Sequence, residues 1–355
     1  MAPKLFLTGV TGYIGGDAFY ALHEAHPEIE YTLLVRSAER AKLVREKYPD
    51  VRIVYPGSDG SGSTSLEEVE EEEASKADIV IHTAESADDV PSATAIAKGL
   101  RRGAANRSAE NPAFWIHICG TGLLQWYDAQ HKRFGQPPIP EEKYDDVTDV
   151  ERLINLPDEA LHRNVDKIVL PVNEDTGGRV KTAIVGPPTI YGTGRGPVNT
   201  VSQQAPGLAR FTLKNGYGPV VGTGKVEWDN THISDASALL VLLVEAALDP
   251  SRNTNPEVFG PHAYFFCEQG THKWGELSAA IVQEAVNQGY LKEAVQKAVT
   301  PEEIPDKSQG MNSKGVATRA KKYLGWEPKG PSLISEVPSI VEWEAKKLGL
   351  KKVGQ

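Results

Sequence analysis

The residues whose types and spacing most directly imply chemistry stand at the N-terminus. Thr8-Gly9-Val10-Thr11-Gly12-Tyr13-Ile14-Gly15 follows the apolar run Lys4–Thr8 and opens an amphipathic stretch. Gly9 suits a tight turn, Gly12 lets the backbone approach a pyrophosphate, and Gly15 lets a helix pack closely on a strand. Phosphates then rest on a helix N-terminus, where free N–H groups and the dipole favour an anion. The spacing therefore assigns Thr8, Gly9, Thr11, Gly12, Tyr13, Ile14 and Gly15 to a dinucleotide site.

The second apolar run ends in Leu33-Leu34-Val35-Arg36-Ser37, with Arg40 one helical turn beyond. A carboxylate in that place would bond the ribose 2′-hydroxyl of NAD, whereas a guanidinium suits a 2′-phosphate. Arg36 and Arg40 thus predict NADP(H), although Arg36 stacked on the adenine with Arg40 at the surface fits the same residues. Ile81-His82-Thr83-Ala84 brings the small side chains of Thr83 and Ala84 past the cofactor. Asp59 is either a partner of the adenine amino group or a solvated turn residue.

These residues need a scaffold, and the first half of the chain supplies the pattern of one. Short apolar runs at Lys4–Thr8, Tyr31–Arg36, Val51–Tyr55, Asp78–Thr83, Phe114–Ile118 and Val180–Val185 read as strands. Amphipathic stretches at Tyr13–Glu24, Ala38–Lys47, Ser65–Ser75, Ala93–Asn106 and Asp158–Val172 read as the helices between them. Such alternation predicts an α/β fold, a doubly wound parallel sheet of Rossmann type. Beyond residue 186 the loops become longer and richer in Gly and Pro, with helices at Asp235–Leu248, Trp274–Gln288 and Ser332–Lys347. The expected organisation is a dinucleotide-binding domain over 1–185 and a smaller C-terminal substrate-binding subdomain over 186–355. A part of the latter, about 225–262, is expected to return to the core. The acidic run Glu67–Glu73 reads as a solvated helix face.

Composition narrows the function classes. A formal charge of −10 leaves no basic stripe for nucleic-acid phosphates. Cys119 and Cys267 are too far apart for a CxxC metal site and read as reduced thiols. The nine histidines are scattered, so no metal site is expected. No run approaches the ~18 apolar residues of a membrane span, and the N-terminus has no signal-peptide pattern. A cytoplasmic protein with a small-molecule substrate, no nucleic-acid partner and no membrane partner is the expectation.

Beyond the TGVTGYIGG opening, Pro187-Pro188-Thr189-Ile190-Tyr191-Gly192, Gly222-Thr223-Gly224, His232-Ile233-Ser234-Asp235-Ala236 and Leu324-Gly325-Trp326-Glu327-Pro328 recur along the chain. Together these segments resemble the extended short-chain dehydrogenase/reductases, the NAD-dependent epimerase/dehydratase-like family. The resemblance implies that Pro188, Thr189 and Ile190 pass the nicotinamide. It also implies a Ser/Thr after the fifth strand and a Tyr-x-x-x-Lys pair on the next helix. Here Thr121 stands for the hydroxyl and Lys167 for the lysine, but Arg163 falls where the tyrosine belongs. A homodimer through the helix carrying Lys167 is a further implication.

On a continuous helix, Glu159, Arg163 and Lys167 would share one stripe, and Asp158, His162 and Asp166 an adjacent one. Lys167, flanked by Arg163, becomes a candidate proton donor with a lowered pKa. Tyr127, His131, His162 and Tyr191 are alternatives, and Trp126, Tyr127, Phe134 and Trp228 are candidates to line a substrate pocket. Pro137-Pro138-Ile139-Pro140 reads as a stiff lid over it. The functional expectation is an NADP(H)-dependent reductase of a small or medium organic carbonyl or conjugated substrate. The alternatives are a dinucleotide-sensing regulator resembling the nitrogen-metabolite-repressor type, and an epimerase or dehydratase without net redox change.

Overall fold

The computed structural model describes residues 2–58, 60, 64–304 and 306–353. The chain runs through β1 (Lys4–Thr8), α1 (Tyr13–Ala25), β2 (Glu30–Leu34), α2 (Ala38–Lys47), β3 (Arg52–Val54), α3 (Leu66–Lys76), β4 (Ile79–His82), α4 (Val90–Gly103) and β5 (Ala113–Ile118). Next come α5 (Trp126–Gln130), β6 (Lys143–Asp145), α6 (Val150–Ile154), α7 (Arg163–Val169), α8 (Val172–Asp175), β7 (Val180–Gly186) and β8 (Thr189–Tyr191). The remainder holds α9 (Gln204–Asn215), β9 (Gly218–Val221), β10 (Glu227–His232), α10 (Ile233–Leu248), β11 (Tyr264–Phe266), β12 (Gly270–Lys273), α11 (Trp274–Asn287), β13 (Gln296–Val299), β14 (Lys314–Val316) and α12 (Leu333–Lys347).

Seven strands form one parallel sheet in the order β3-β2-β1-β4-β5-β7-β11. The order reverses between β1 and β4, where crossovers to opposite faces leave a crevice at the carboxyl ends of the strands. Register makes those ends level, since Thr8 lies opposite both Leu34 and His82. The strands are buried on both faces, as a helix-covered parallel sheet requires. Helix α10 packs against α1, and β11 adds the last strand. A second core, with Leu208, Trp228, Trp274, Ile281 and Val341 in it, holds α9, α11 and α12 together beside the crevice.

Two elements depart from the sequence reading. The helix expected over Asp158–Val172 is helical only from Arg163 to Val169, with α8 following from Val172. Its N-cap, His162, has φ 69°, a left-handed conformation that no continuous α-helix of L-residues contains. The second departure is the acidic run. Gly99 and Gly103 bring α4 so near α3 that a Cβ on either would stand 2.2 Å and 2.4 Å from backbone oxygens of Glu71 and Ser75. Glu70 is buried against α4 and Glu73 against β3 (1% and 8% exposed), so this is no wholly solvated face. Arg52 pairs bidentately with Glu73 at 2.5 and 2.9 Å.

The Pro137–Pro140 segment is not the lid it was expected to be. Pro138 and Ile139 pack near Tyr127 and Leu124, away from the crevice. The segment over the crevice is instead 192–204, strapped down by buried Asp17. Asp17 accepts from the Arg195 backbone N–H, Nε and Nη2 at 2.7, 2.9 and 2.7 Å and from Ser237 Oγ at 2.6 Å. Among the described residues no helix is long and apolar enough to cross a membrane. No group of three metal-ligating side chains occurs among them.

Candidate active site

The crevice opens into a cleft of about 840 Å3 lined by Gly9, Thr11, Gly12, Tyr13, Ile14 and Gly15, by Arg36 and Arg40, and by Thr83 and Ala84. Gly9 has φ 82°, and a Cβ there would stand 2.4 Å from Thr83 Oγ1. A Cβ on Gly15 would meet the same oxygen at 2.2 Å. Gly12 differs: its nearest obstruction is the Gly9 carbonyl at 3.1 Å, so its hydrogen faces the open cleft. No side chain caps α1 at Gly12, which leaves the first-turn N–H groups for an anion. This open cradle fits a dinucleotide pyrophosphate. Thr8 serves from behind, its Oγ1 accepting from the N–H groups of Thr83 and Ala84 at 3.1 and 3.3 Å. The Tyr13 hydroxyl donates to the Gly192 carbonyl at 2.7 Å and ties the strap to the cleft.

The arginines are disposed differently from a 2′-phosphate clamp. Arg40 Nη1 donates to Thr11 Oγ1 at 3.3 Å and braces the glycine turn. Arg36 is exposed at the rim, where a guanidinium plane can lie on an adenine of either dinucleotide. Asp59 lies outside the described residues.

Past the strap the cleft joins a second cavity of about 1010 Å3, and Gly120, His162, Pro187 and Pro188 line both. Ile190 lines the cleft, whereas Thr189 is fully buried in β8 and lines neither. Thr121 is 3% exposed and lines the second cavity. Its backbone is held by Pro187 and Ser313, but its Oγ1 has no partner.

His162 stands at the junction. Its Nδ1 lies 2.7 Å from Asp88 Oδ1, so the ring donates from Nδ1 to that carboxylate and turns Nε2 to the other side. Nε2 faces Gly120 and Gly122, at 3.4 and 3.0 Å from where their Cβ atoms would be. Asp88 is placed by a turn after β4, which Glu85 enters with φ 47° and which Ser86 fastens to the Ile118 carbonyl. Non-glycine residues in left-handed backbone cluster at functional sites, and here Glu85 and His162 flank the same contact. Beneath Gly120, Asp166 accepts from the Tyr264 hydroxyl at 3.3 Å, and burial pushes Asp166 up to about 7.

The other catalytic candidates do not assemble. Lys167 is exposed and donates to both carboxylate oxygens of Asp158 at 2.8 and 2.9 Å, outside both cavities. Its helix begins only at Arg163, after the left-handed His162. Arg163 is buried, its Nε on the Leu156 carbonyl at 3.1 Å. Tyr127 stacks on His131 with ring centroids 4.0 Å apart, next to the proline segment. Of the expected pocket aromatics Trp228 lines the second cavity; Trp126, Tyr127 and Phe134 do not. Asp88 and Glu70, both on the site, were not foreseen. Asp88 is 74 positions from its partner, and no local pattern marks such a pair.

The chain is 37% identical over 360 residues to Oxidase ucsJ of Acremonium sp, covering 99% of this chain and 100% of that one. No family model matches. The fold is similar to DesIV, a dTDP-glucose 4,6-dehydratase from Streptomyces venezuelae with NAD and TYD bound (TM-score 0.63, 15% identity, 98% of each chain). It is also similar to UDP-glucose 4-epimerase of Thermotoga maritima with UDP-glucose (TM-score 0.61, 18% identity, 97% of this chain and 99% of that). A third is dTDP-glucose 4,6-dehydratase from Bacillus anthracis with NAD (TM-score 0.62, 14% identity, 97% of each). These structures correct two expectations. The two dehydratases hold NAD rather than NADP, and the three are an epimerase and dehydratases rather than carbonyl reductases.

Proposed function

The chain belongs to one family with the Acremonium oxidase, and from that premise and the fold it shares with the epimerases and dehydratases we propose an NAD-dependent enzyme acting on a small hydroxylated molecule. Its reaction begins with oxidation of a carbinol carbon and returns the hydride, so that no net redox change results. The Asp88–His162 pair at the junction of the two cavities carries this reading. When bound, NAD supplies the acceptor for the carbinol hydride. His162 Nε2 takes the hydroxyl proton, Asp88 stabilises the imidazolium so formed, and Thr121 donates to the substrate oxygen. A roomy cavity with a buried hydroxyl and an oriented imidazole on its wall favours catalysis over a purely regulatory dinucleotide sensor.

A second reading keeps the oxidation and omits the return, and the name of the Acremonium relative favours it. One experiment separates the two. The protein is incubated with NAD and a panel of carbinol-deuterated nucleoside-diphosphate hexoses and simple secondary alcohols. NADH absorbance and product NMR are followed for the wild type and His162→Gln. Deuterium retained in an isomerised or dehydrated product without lasting NADH, and lost in the variant, supports the first reading. Accumulating NADH supports the second. Failure of the protein to bind NAD at all overturns both.

A further inference from the structure

We propose that Glu70 recognises the base of the dinucleotide, its Oε2 accepting a hydrogen bond from the 6-amino group of adenine. The inference rests on the reading of the cleft as an NAD site and names a residue within it. Glu70 lines the wall built by α3 and α4, together with Leu66, Asp89 and Ser92. Its Oε1 accepts from Ser92 Oγ at 2.6 Å. The one hydroxyl hydrogen of Ser92 is thereby committed, so the 3.1 Å contact between Ser92 Oγ and His82 Nε2 has the histidine as donor. His82 is fully buried and burial pushes it down to about 3, which makes it the neutral Nε2–H tautomer. Its Nδ1 accordingly has no partner.

The chain His82–Ser92–Glu70 fixes Oε1 as an acceptor and leaves Oε2 buried without a partner among the described residues. A buried carboxylate oxygen in that state is costly unless a donor reaches it. Among the described residues no cation faces it: Glu67 on α3 and Asp89 on α4 repel the charge, and His82 on β4 and His117 on β5 are both held neutral by burial. Burial pushes Glu70 up to about 7. Because Ser92 occupies Oε1, the proton of the acid form resides on Oε2. The carboxylate therefore accepts from an amino group, and the carboxylic acid donates to a carbonyl in the same place.

Hypoxanthine carries a 6-carbonyl where adenine has the amino group, so nicotinamide hypoxanthine dinucleotide tests the inference without catalysis. Calorimetric binding of both dinucleotides to the whole protein is measured at about pH 6 and about pH 8, either side of the Glu70 range and below the ionisation of hypoxanthine. The wild type is expected to prefer NAD by about tenfold at the higher pH, the scale of one charged hydrogen bond, and to lose most of that preference at the lower pH. Glu70→Gln, whose amide donates toward the cleft, is expected to show no preference for NAD at either pH and to favour the hypoxanthine dinucleotide. Should Glu70→Gln fail to fold, Ser92→Ala frees Oε1 and is expected to blunt the pH dependence. Equal wild-type affinities at the higher pH, or full preference retained in Glu70→Gln, overturns the inference. Absence of binding by either dinucleotide overturns the cofactor reading and the inference with it.

Discussion

At the phosphate end of the cleft the presented groups are backbone: glycine Cα hydrogens, the uncapped N–H groups of α1 and a turn closed by Thr8 and Thr83. At the opposite end they are side chains brought from far apart, His162 from before α7, Asp88 from after β4 and Thr121 from after β5. The backbone end depends on three glycines within eight consecutive residues. The proton-handling end depends on the meeting of three loops. A site of the first kind is written in local sequence; a site of the second kind exists only when the sheet order is known.

The largest expected effect separates the two ends. His162→Ala should lower turnover by about 10²- to 10⁴-fold, the scale of general acid–base catalysis, with NAD affinity nearly unchanged by calorimetry. Lys167→Ala should leave turnover within about twofold, because its exposed pair with Asp158 contributes little. A comparable loss in both variants would break the distinction.

Within the phosphate end, Gly9 and Gly12 should part company. Gly9→Ala forces a methyl into Thr83 at positive φ and should cost about 3 kcal/mol in urea unfolding. Gly12→Ala should cost less than about 1 kcal/mol yet weaken NAD binding at least about tenfold, because the methyl occupies the pyrophosphate approach. Equal stability losses would refute separate roles for the two glycines.

A smaller effect tests the seating of the imidazole. Gly122→Ala places a Cβ 3.0 Å from His162 Nε2 and 3.1 Å from Leu161 Cδ2. The displaced ring should lower kcat by about tenfold and leave dinucleotide affinity unaltered. An unchanged kcat would mean that Nε2 is not the group handling the proton.

The smallest effect concerns the floor beneath Gly120. Asp166 is raised to about 7 in the folded state by burial, against about 3.9 unfolded. Between those values the folded state binds more protons, so stability falls as pH rises from about 4 to about 7 and is then level. Glu70 and Asp146 are raised in the same way and add to the slope. Asp166→Asn should make the decline shallower in urea unfolding across that range. An unchanged slope would show that Asp166 does not titrate in the folded protein.

Much of this molecule was legible along the chain. The boundaries of β1 and α2 coincide with their apolar and amphipathic patterns residue for residue, and the other five expected strands lie within two residues of theirs at either end. The glycine turn was legible because each glycine answers to a neighbour within a few positions or to the strand beside it. Lys167 was assigned by its place in a motif on the assumption of an unbroken helix, and the left-handed His162 removed that assumption. The arginines at the end of β2 predicted a phosphate clamp from residue type alone, whereas Arg40 is engaged with Thr11.

By itself the sequence determined the alternation of strands and helices, the parallel sheet and the glycine turn at the head of α1, all of which rest on hydrophobic period and on glycine stereochemistry over short spans. Only the tertiary structure decided which charged groups are buried. The acidic run has the composition of a solvated surface, but the glycines of α4 admit α3 to backbone contact and turn Glu70 inward. The pairing of Asp88 with His162 was decided in the same way, by two loops that the strand order places side by side. Burial and long-range pairing are properties of contacts, and a contact between residues 74 positions apart has no local signature for the chain to carry.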